Sequence, residues 1–245
     1  MAERLETAAK WLASAGAVAV LTGAGLSQES GVPIFRGPGG LWRRFRPEEL
    51  ATPEAFARDP KLVWEWYDWR RSVIARAQPN PAHVALAQLE QRTAEFALLT
   101  QNVDGLEEQA GSRNVLRLHG DIWVLRCVRC GREEKNYTVP LGELPPKCAC
   151  GGLLRPGVVW FGEALPAIVL EQAFEAAKRA QVFLVVGTSA VVHPAASLPL
   201  VAKQAGARVI EINLEETPVS AVADASFYGK AGELLPALVG PSVPR

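Results

Sequence analysis

Small and β-branched residues run without a polar break from Ala17 to Leu21 in AGAVAVLTGAGLS, then give way to glycines. A short run that is apolar at successive positions predicts a strand buried on both faces and leading into a tight turn. The segments EFALLTQN (95–102), VFLVVGTS (182–189) and ARVIEINLE (207–215) repeat the pattern, each closing on polar or glycine residues. Helical stretches such as PAHVALAQLEQ and EQAFEAAKRA separate them. Strands alternating with helices predict an α/β fold around an open parallel sheet. Such sheets bind ligands at the carboxyl ends of their strands. Those ends hold Gly23–Ala24–Gly25, Gln101–Asn102, Gly187–Thr188–Ser189 and Asn213.

Two segments break the alternation. Residues 37–77 lack a clear strand, and Thr52–Pro53 and Asp59–Pro60 each read as an N-cap followed by the first helical position. Residues 121–156 carry the cysteines. Both read as insertions that build a smaller lobe, leaving 1–36, 78–120 and 157–245 to the large domain. The tail VGPSVPR reads as loose.

Composition narrows the function. Lys plus Arg and Asp plus Glu number 26 each, so no field of one sign covers the surface, which argues against binding nucleic acid by phosphate neutralisation. The N-terminus MAERLETAAKWLASAG reads as an amphipathic helix and not a signal peptide. No apolar run approaches the ~20 residues of a membrane span. The expectation is a soluble, cytoplasmic chain.

All 4 cysteines lie in CVRCGREEKNYTVPLGELPPKCAC: Cys127-x2-Cys130, then Cys148-x-Cys150. Two close pairs, each followed by glycine, suit a four-thiolate zinc ribbon; disulfides or plain core thiols are the alternatives. Four thiolates leave no open coordination position, so such a zinc is structural. The second pair is tighter than the usual C-x-x-C.

Several fragments stay open when taken singly. Gly23-Ala24-Gly25 suits backbone donors on a phosphate, or merely a tight strand-to-helix turn. His119, in NVLRLHGDIW, is a candidate general base or a hydrogen-bonded structural histidine, whereas His83 and His193 read as structural or peripheral. Gln101, Asn102 and Asp104 in TQNVDG suit a carboxamide or ribose hydroxyls, or an Asx cap on the next helix. In VWEWYDWRRS (63–72), Tyr67 and Arg70 share a helix face and can grip one small anion. Equally, Arg70 can stack on Trp66. Arg71 reads as their solvated neighbour.

Together GAGLSQESGVPIFRGPGGLW, TQNVDGL, LHG, the cysteine pairs, VVWFGE, GTS and INLE follow one another as in the sirtuins, the NAD-dependent protein lysine deacylases. The resemblance spans roughly residues 10–235 and implies a Rossmann-type large domain, a zinc-ribbon and helical lobe, and a cleft between them for NAD and an acyl-lysine peptide. It places Gly23, Ala24, Gly25 and Ser27 along the NAD phosphates, and Phe35 and Arg36 over the nicotinamide ribose in a mobile loop. Gln101, Asn102, Val103 and Asp104 line the ribose and nicotinamide pocket. Gly187, Thr188 and Ser189 hold phosphate or ribose; Asn213, Leu214 and Glu215 hold the adenosine end. Ala231 stands where relatives put another small residue against adenine, so its contact runs through the backbone.

The implied reaction releases nicotinamide as the acyl oxygen attacks the ribose C1′, and yields free lysine and O-acyl-ADP-ribose. His119 is the implied general base, with Asn102 beside it. Val158, Val159, Trp160, Phe161 and Gly162 are implied to pair with the substrate backbone as an added strand. Sirtuins similar to this chain in WEWYDWRR use a Tyr-x-x-Arg pair to recognise succinyl-, malonyl- or glutaryl-lysine. Tyr67 and Arg70 are therefore the implied specificity residues, with acetyl-lysine still acceptable. Rival readings are protein ADP-ribosyl transfer, hydride transfer on a similar fold, and a zinc-ribbon protein that only senses NAD.

Overall fold

Val18 and Val20 face one side of strand β1 (Ala17–Thr22), Ala19 and Leu21 face the other, and all four are buried. The computed structural model, which describes residues 2–36, 39–43 and 46–240, shows why. Strands β2 (Glu95–Thr100) and β7 (Val182–Val186) flank β1, both in parallel. With β3 (Val115–Arg117), β8 (Arg208–Asn213) and β9 (Ala225–Tyr228) they form a parallel six-stranded sheet in the order β3-β2-β1-β7-β8-β9. On one face, Leu12 of α1 (Ala2–Ser14), Leu86 of α6 (Pro81–Arg92) and Leu235 of α10 (Ala231–Val239) cluster with Val18, Val20 and Leu98. On the other, Ala173 and Ala177 of α8 (Ala167–Arg179) and Leu198 of α9 (Leu198–Gln204) cluster with Ala19, Leu21 and Phe183. Cover on both faces is what an unbroken apolar strand requires. The expected open parallel sheet is present.

The two interrupting segments pack on each other. Thr52 and Asp59 cap α4 (Pro53–Arg58) and α5 (Pro60–Ile74), each accepting a backbone N–H, and a further short helix, α3 (Pro47–Leu50), precedes them. Strands β4 (Gly120–Cys127), β5 (Glu133–Lys135) and β6 (Leu154–Val158) form a separate antiparallel sheet in the order β5-β4-β6. Trp64 of α5 is fully buried among residues of this sheet and donates its indole N–H to the Leu154 carbonyl at 2.7 Å.

Arg71 corrects the sequence reading. It is fully buried, not solvated, and its guanidinium donates to the carbonyls of Ile122, Asn136 and Thr138 at 2.8–3.0 Å. It bolts α5 to β4 and the loop beyond β5. This ring of oxygens, with Asn136 Oδ1 a fourth at 2.7 Å, offsets part of the cost of burying the charge. Among the described residues no helix is long and apolar enough to cross a membrane. Of the tail VGPSVPR (239–245), read as loose, Val239 closes α10 and Gly240 caps it, with Arg92 donating to both carbonyls; 241–245 lie outside the described residues.

Candidate active site

Parallel pairing of Thr22 with Thr100 and with Val186 brings the next residues of three strands, Gly23, Gln101 and Gly187, to one edge of the sheet. The chain there is knit too closely for side chains. A Cβ on Gly25 would stand 2.8 Å from the Gly187 Cα, and one on Gly187, itself at φ +60°, would stand 2.4 Å from the Leu26 nitrogen. The glycines of the turn into α2 (Ala24–Ser27) are thus needed for this approach whether or not a phosphate binds. Amides tie the remaining ends together: Gln101 Nε2 donates to Thr188 Oγ1 at 2.9 Å, and Asn213 Nδ2 to the Thr188 carbonyl at 2.8 Å.

Above these ends opens a cavity of about 570 Å³. Its wall includes Gly23, Ala24, Gly25, Phe35, Arg36, Gln101, Asn102, Val103 and Asp104, then Gly187, Thr188, Ser189, Asn213, Leu214 and Glu215. Across from them stand His119, Tyr67, Arg70 and Val158 to Gly162. Two residues assigned to the cofactor lie elsewhere. Ser27 is fully buried beneath the wall, its hydroxyl 3.4 Å from both His83 Nε2 and Asn102 Nδ2. Ala231 is buried at the start of α10. Conversely, His193, read as structural or peripheral, is exposed on the cavity wall with Nδ1 3.2 Å from Ser197 Oγ. Gln28, Trp66 and Glu163 also line the cavity without having been placed there, and no local pattern signals them.

Asn102 has a defined orientation. Its Nδ2 faces the Gly23 carbonyl at 3.1 Å, with Ser27 Oγ and Glu107 Oε1 each at 3.4 Å, so the amide oxygen is the end left over. Asp104 does two things. Its carboxylate accepts the Leu106 N–H at 2.9 Å, the Asx cap of α7 (Leu106–Gln109), and it lines the cavity as well. Burial, then the Glu107 charge, pushes its pKa up to about 6. His83, buried below, is held down to about 4 by burial, and its Nδ1 accepts the Asn80 N–H at 3.2 Å in the capping box of α6.

His119 lies between β3 and β4, where Gly120 at φ +81° lets β4 turn against β6; a Cβ there would stand 2.2 Å from the Gly157 carbonyl oxygen. Its ring Nδ1 is 3.1 Å from the Gln101 carbonyl oxygen, and burial lowers its pKa despite that partner. Its own carbonyl accepts the Val159 N–H at 2.9 Å, joining it to the 158–162 segment.

Tyr67 and Arg70 are both buried, at 2% and 7% exposure, yet both reach the cavity. The Arg70 guanidinium lies 4.7 Å from the Phe35 ring centroid, 5.0 Å from that of Trp66 and 5.8 Å from that of Tyr67. The stacking on Trp66 that the sequence left open is therefore real. It does not exclude the anion grip, because stacking uses the faces of the guanidinium and leaves its N–H edges. Among the described residues nothing accepts a hydrogen bond from Arg70 or forms an ion pair with it. Burial lowers its pKa, with Tyr67 and Asp104 acting against that through space.

The four cysteine sulfurs lie within 4.8 Å of one another, with Cys127 and Cys150 at 3.5 Å and Cys130 and Cys148 at 3.8 Å. A disulfide needs ~2.05 Å. A tetrahedron of ~2.3 Å metal–sulfur bonds has edges near 3.8 Å, so the four thiols are positioned to bind one zinc ion. The backbone N–H groups of Cys130 and Arg129 point at Cys127 Sγ from 3.5 and 3.4 Å and hold its thiol down to about 6. The site thus favours a thiolate, which is the form that binds metal.

A family model described as Sir2 family matches residues 23–194. The NAD-dependent protein deacylase of Aquifex aeolicus (strain VF5) is 62% identical over 215 residues, covering 87% of this chain and 90% of that protein. A solved Sir2 homolog–NAD complex superposes with a TM-score of 0.90 at 54% identity, covering 96% of this chain and 92% of the other. A Sir2 structure with a deacetylated p53 peptide and 3′-O-acetyl ADP-ribose gives a TM-score of 0.89 at 33% identity, with 96% of each chain covered.

Proposed function

The chain belongs to the Sir2 family, and from that premise we propose that it is an NAD-dependent protein lysine deacylase whose acyl pocket is built for acids. The proposed substrates are succinyl- and malonyl-lysine in proteins or peptides, with acetyl-lysine also accepted; the products are nicotinamide, free lysine and O-acyl-ADP-ribose. One observation carries the acid preference: Arg70 and Tyr67 are buried, face the cavity, and have no acceptor for their remaining donors among the described residues. A distal carboxylate supplies that acceptor, and a charge-assisted bond to a guanidinium is about twice as strong as a neutral one.

The other roles follow from position. The glycine turn and Gly187–Ser189 present backbone and hydroxyl donors to the NAD phosphates, and Asn213 to Glu215 wall the adenosine end. Asn102 offers its amide oxygen to the ribose, held in that sense by Gly23, Ser27 and Glu107. His119, neutral and half-shielded, removes a ribose hydroxyl proton. Phe35 and Arg36 close over the nicotinamide side. The segment Val158–Gly162 offers its backbone to the peptide. Zinc on the four thiolates holds the small sheet and takes no part in the reaction. In this scheme 1–36, 78–120 and 157–245 form the NAD-binding domain and 37–77 and 121–156 the lobe that supplies Tyr67 and Arg70. A cytoplasmic setting, where thiols stay reduced, suits the cysteine site.

A crystal structure of the chain with a succinyl-lysine peptide tests the pocket. The carboxylate is expected within hydrogen-bond distance of both Arg70 and Tyr67 Oη. A carboxylate turned out to solvent contradicts the acid-pocket reading.

A further inference from the structure

Trp160 belongs to the segment proposed to meet the substrate backbone, but its side chain points away from that task. The indole is 3% exposed, and Nε1 donates to Tyr67 Oη at 2.9 Å. A phenol has one hydrogen, which lies near the ring plane in one of two directions. With the indole N–H directed at the oxygen, the hydroxyl hydrogen is turned away from it, and no described residue accepts it. Tyr67 lines the cavity, and a ligand there can supply the acceptor for that hydrogen.

The indole is itself clamped. The Arg155 guanidinium lies 3.4 Å from the Trp160 ring centroid, and Phe56 packs on the ring at 5.4 Å between centroids. Arg155 forks onto Glu163 at 2.5 and 2.8 Å and donates to the Val158 carbonyl at 2.9 Å. Glu163 Oε2 also accepts the Trp160 backbone N–H at 2.8 Å. Burial alone would raise the Glu163 pKa, but the Arg155 hydrogen bond and the Trp160 N–H outweigh it and keep the carboxylate ionised. A cation over the indole face draws electron density from the ring and strengthens its N–H as a donor.

We infer that Trp160, locked by the Arg155–Glu163 pair, is a specificity-determining positioning residue: it aims the Tyr67 hydroxyl hydrogen into the acyl pocket, where an acidic acyl group supplies the acceptor. This rests on the acid-pocket reading of Tyr67 and Arg70. An acyl chain ending in a methyl group leaves the aimed hydrogen unpaired in a buried site, so the same device that favours a carboxylate penalises a plain acyl group. Trp160 acts through Tyr67, and its effect requires the phenol oxygen to be there.

The test is a double-mutant cycle on kcat/KM for matched succinyl- and acetyl-lysine peptides, using Trp160→Phe, Tyr67→Phe and the pair. Trp160→Phe keeps an aromatic ring and removes the donor. It is expected to lower the succinyl-to-acetyl ratio by about tenfold, the value of one buried hydrogen bond. In the Tyr67→Phe background the same change is expected to leave the ratio where Tyr67→Phe alone puts it. An equal fall in both backgrounds overturns the inference, as does a loss shared equally by the two peptides. Zinc content and melting temperature check that each variant folds. Should Trp160→Phe not fold, Glu163→Gln, which loosens the clamp, must lower the ratio only when Tyr67 is present; an unchanged ratio overturns the inference. A parent chain with no preference for succinyl peptides removes the acid-pocket reading, and this inference with it. A preference that survives Trp160→Phe removes the inference alone.

Discussion

Nδ1 of His119 sits 3.1 Å from the carbonyl oxygen of Gln101. A carbonyl only accepts, so Nδ1 carries the hydrogen and the neutral ring leaves its lone pair on Nε2. Burial lowers the pKa, so the neutral form persists below the ordinary histidine value of 6.5. His119→Ala is expected to abolish deacylation in a folded, zinc-containing protein. The acid limb of kcat/KM is expected below pH 6.5, and its position above that value would contradict His119 as the base.

Arg70→Met keeps the length of the side chain and removes the charge. Desuccinylation is expected to fall about 10- to 100-fold more than deacetylation, the range for one charge-assisted hydrogen bond. Parallel kcat/KM measurements on the two peptides decide it, and equal losses would return Arg70 to a role in stacking on Phe35 and Trp66.

His83 and Asp104 have opposite linkage to pH. Burial holds the folded His83 pKa down to about 4 against the ordinary histidine value of 6.5, so its contribution is full above 6.5 and is lost as pH falls toward 4. Asp104 has a folded pKa of about 6 against 3.8, so its contribution is full below 3.8 and is lost as pH rises toward 6. In the overlapping window the folded pair is neutral while the unfolded pair is charged, and the two slopes largely cancel. Asp104→Asn, which retains a capping side chain, is therefore expected to melt at progressively lower temperature than the parent as pH falls from 6 toward 4. His83→Gln is expected to show the reverse trend. Calorimetric melting across that range checks both, and parallel curves for either variant and the parent would contradict this linkage.

Removing the metal should unfold the small sheet first. A strong chelator is expected to release one zinc per chain and lower the melting temperature, and Cys127→Ser to do the same without chelator. Metal analysis and calorimetry read this out; no bound zinc in the purified parent chain would contradict the site.

The central strands were legible because burial on both faces makes them apolar at every position, as Val18 to Leu21 show. Edge strand β9 was missed: Ala225 to Tyr228 alternates in burial over only four residues, too short to stand out from a loop. The cysteine site was legible since metal ligation constrains spacing along the chain. Arg71 was misread for the opposite reason. Its partners Ile122, Asn136 and Thr138 lie more than fifty positions away, and nothing near Arg71 signals that their carbonyls converge on it. Tyr67 and Arg70 were visible as a pair three apart, while the indole that holds the phenol, 93 positions on, was not. Likewise His193 reaches the cavity only through the course of the loop after β7, which composition does not reveal.

The most direct measurement is mass spectrometry of matched succinyl-lysine and acetyl-lysine peptides incubated with the chain, with and without NAD. NAD-dependent loss of the succinyl mass, with nicotinamide release and succinyl turnover exceeding acetyl, is the predicted result. Loss of acetyl alone would contradict the acid pocket. No change in either peptide while NAD still binds would contradict the deacylase itself.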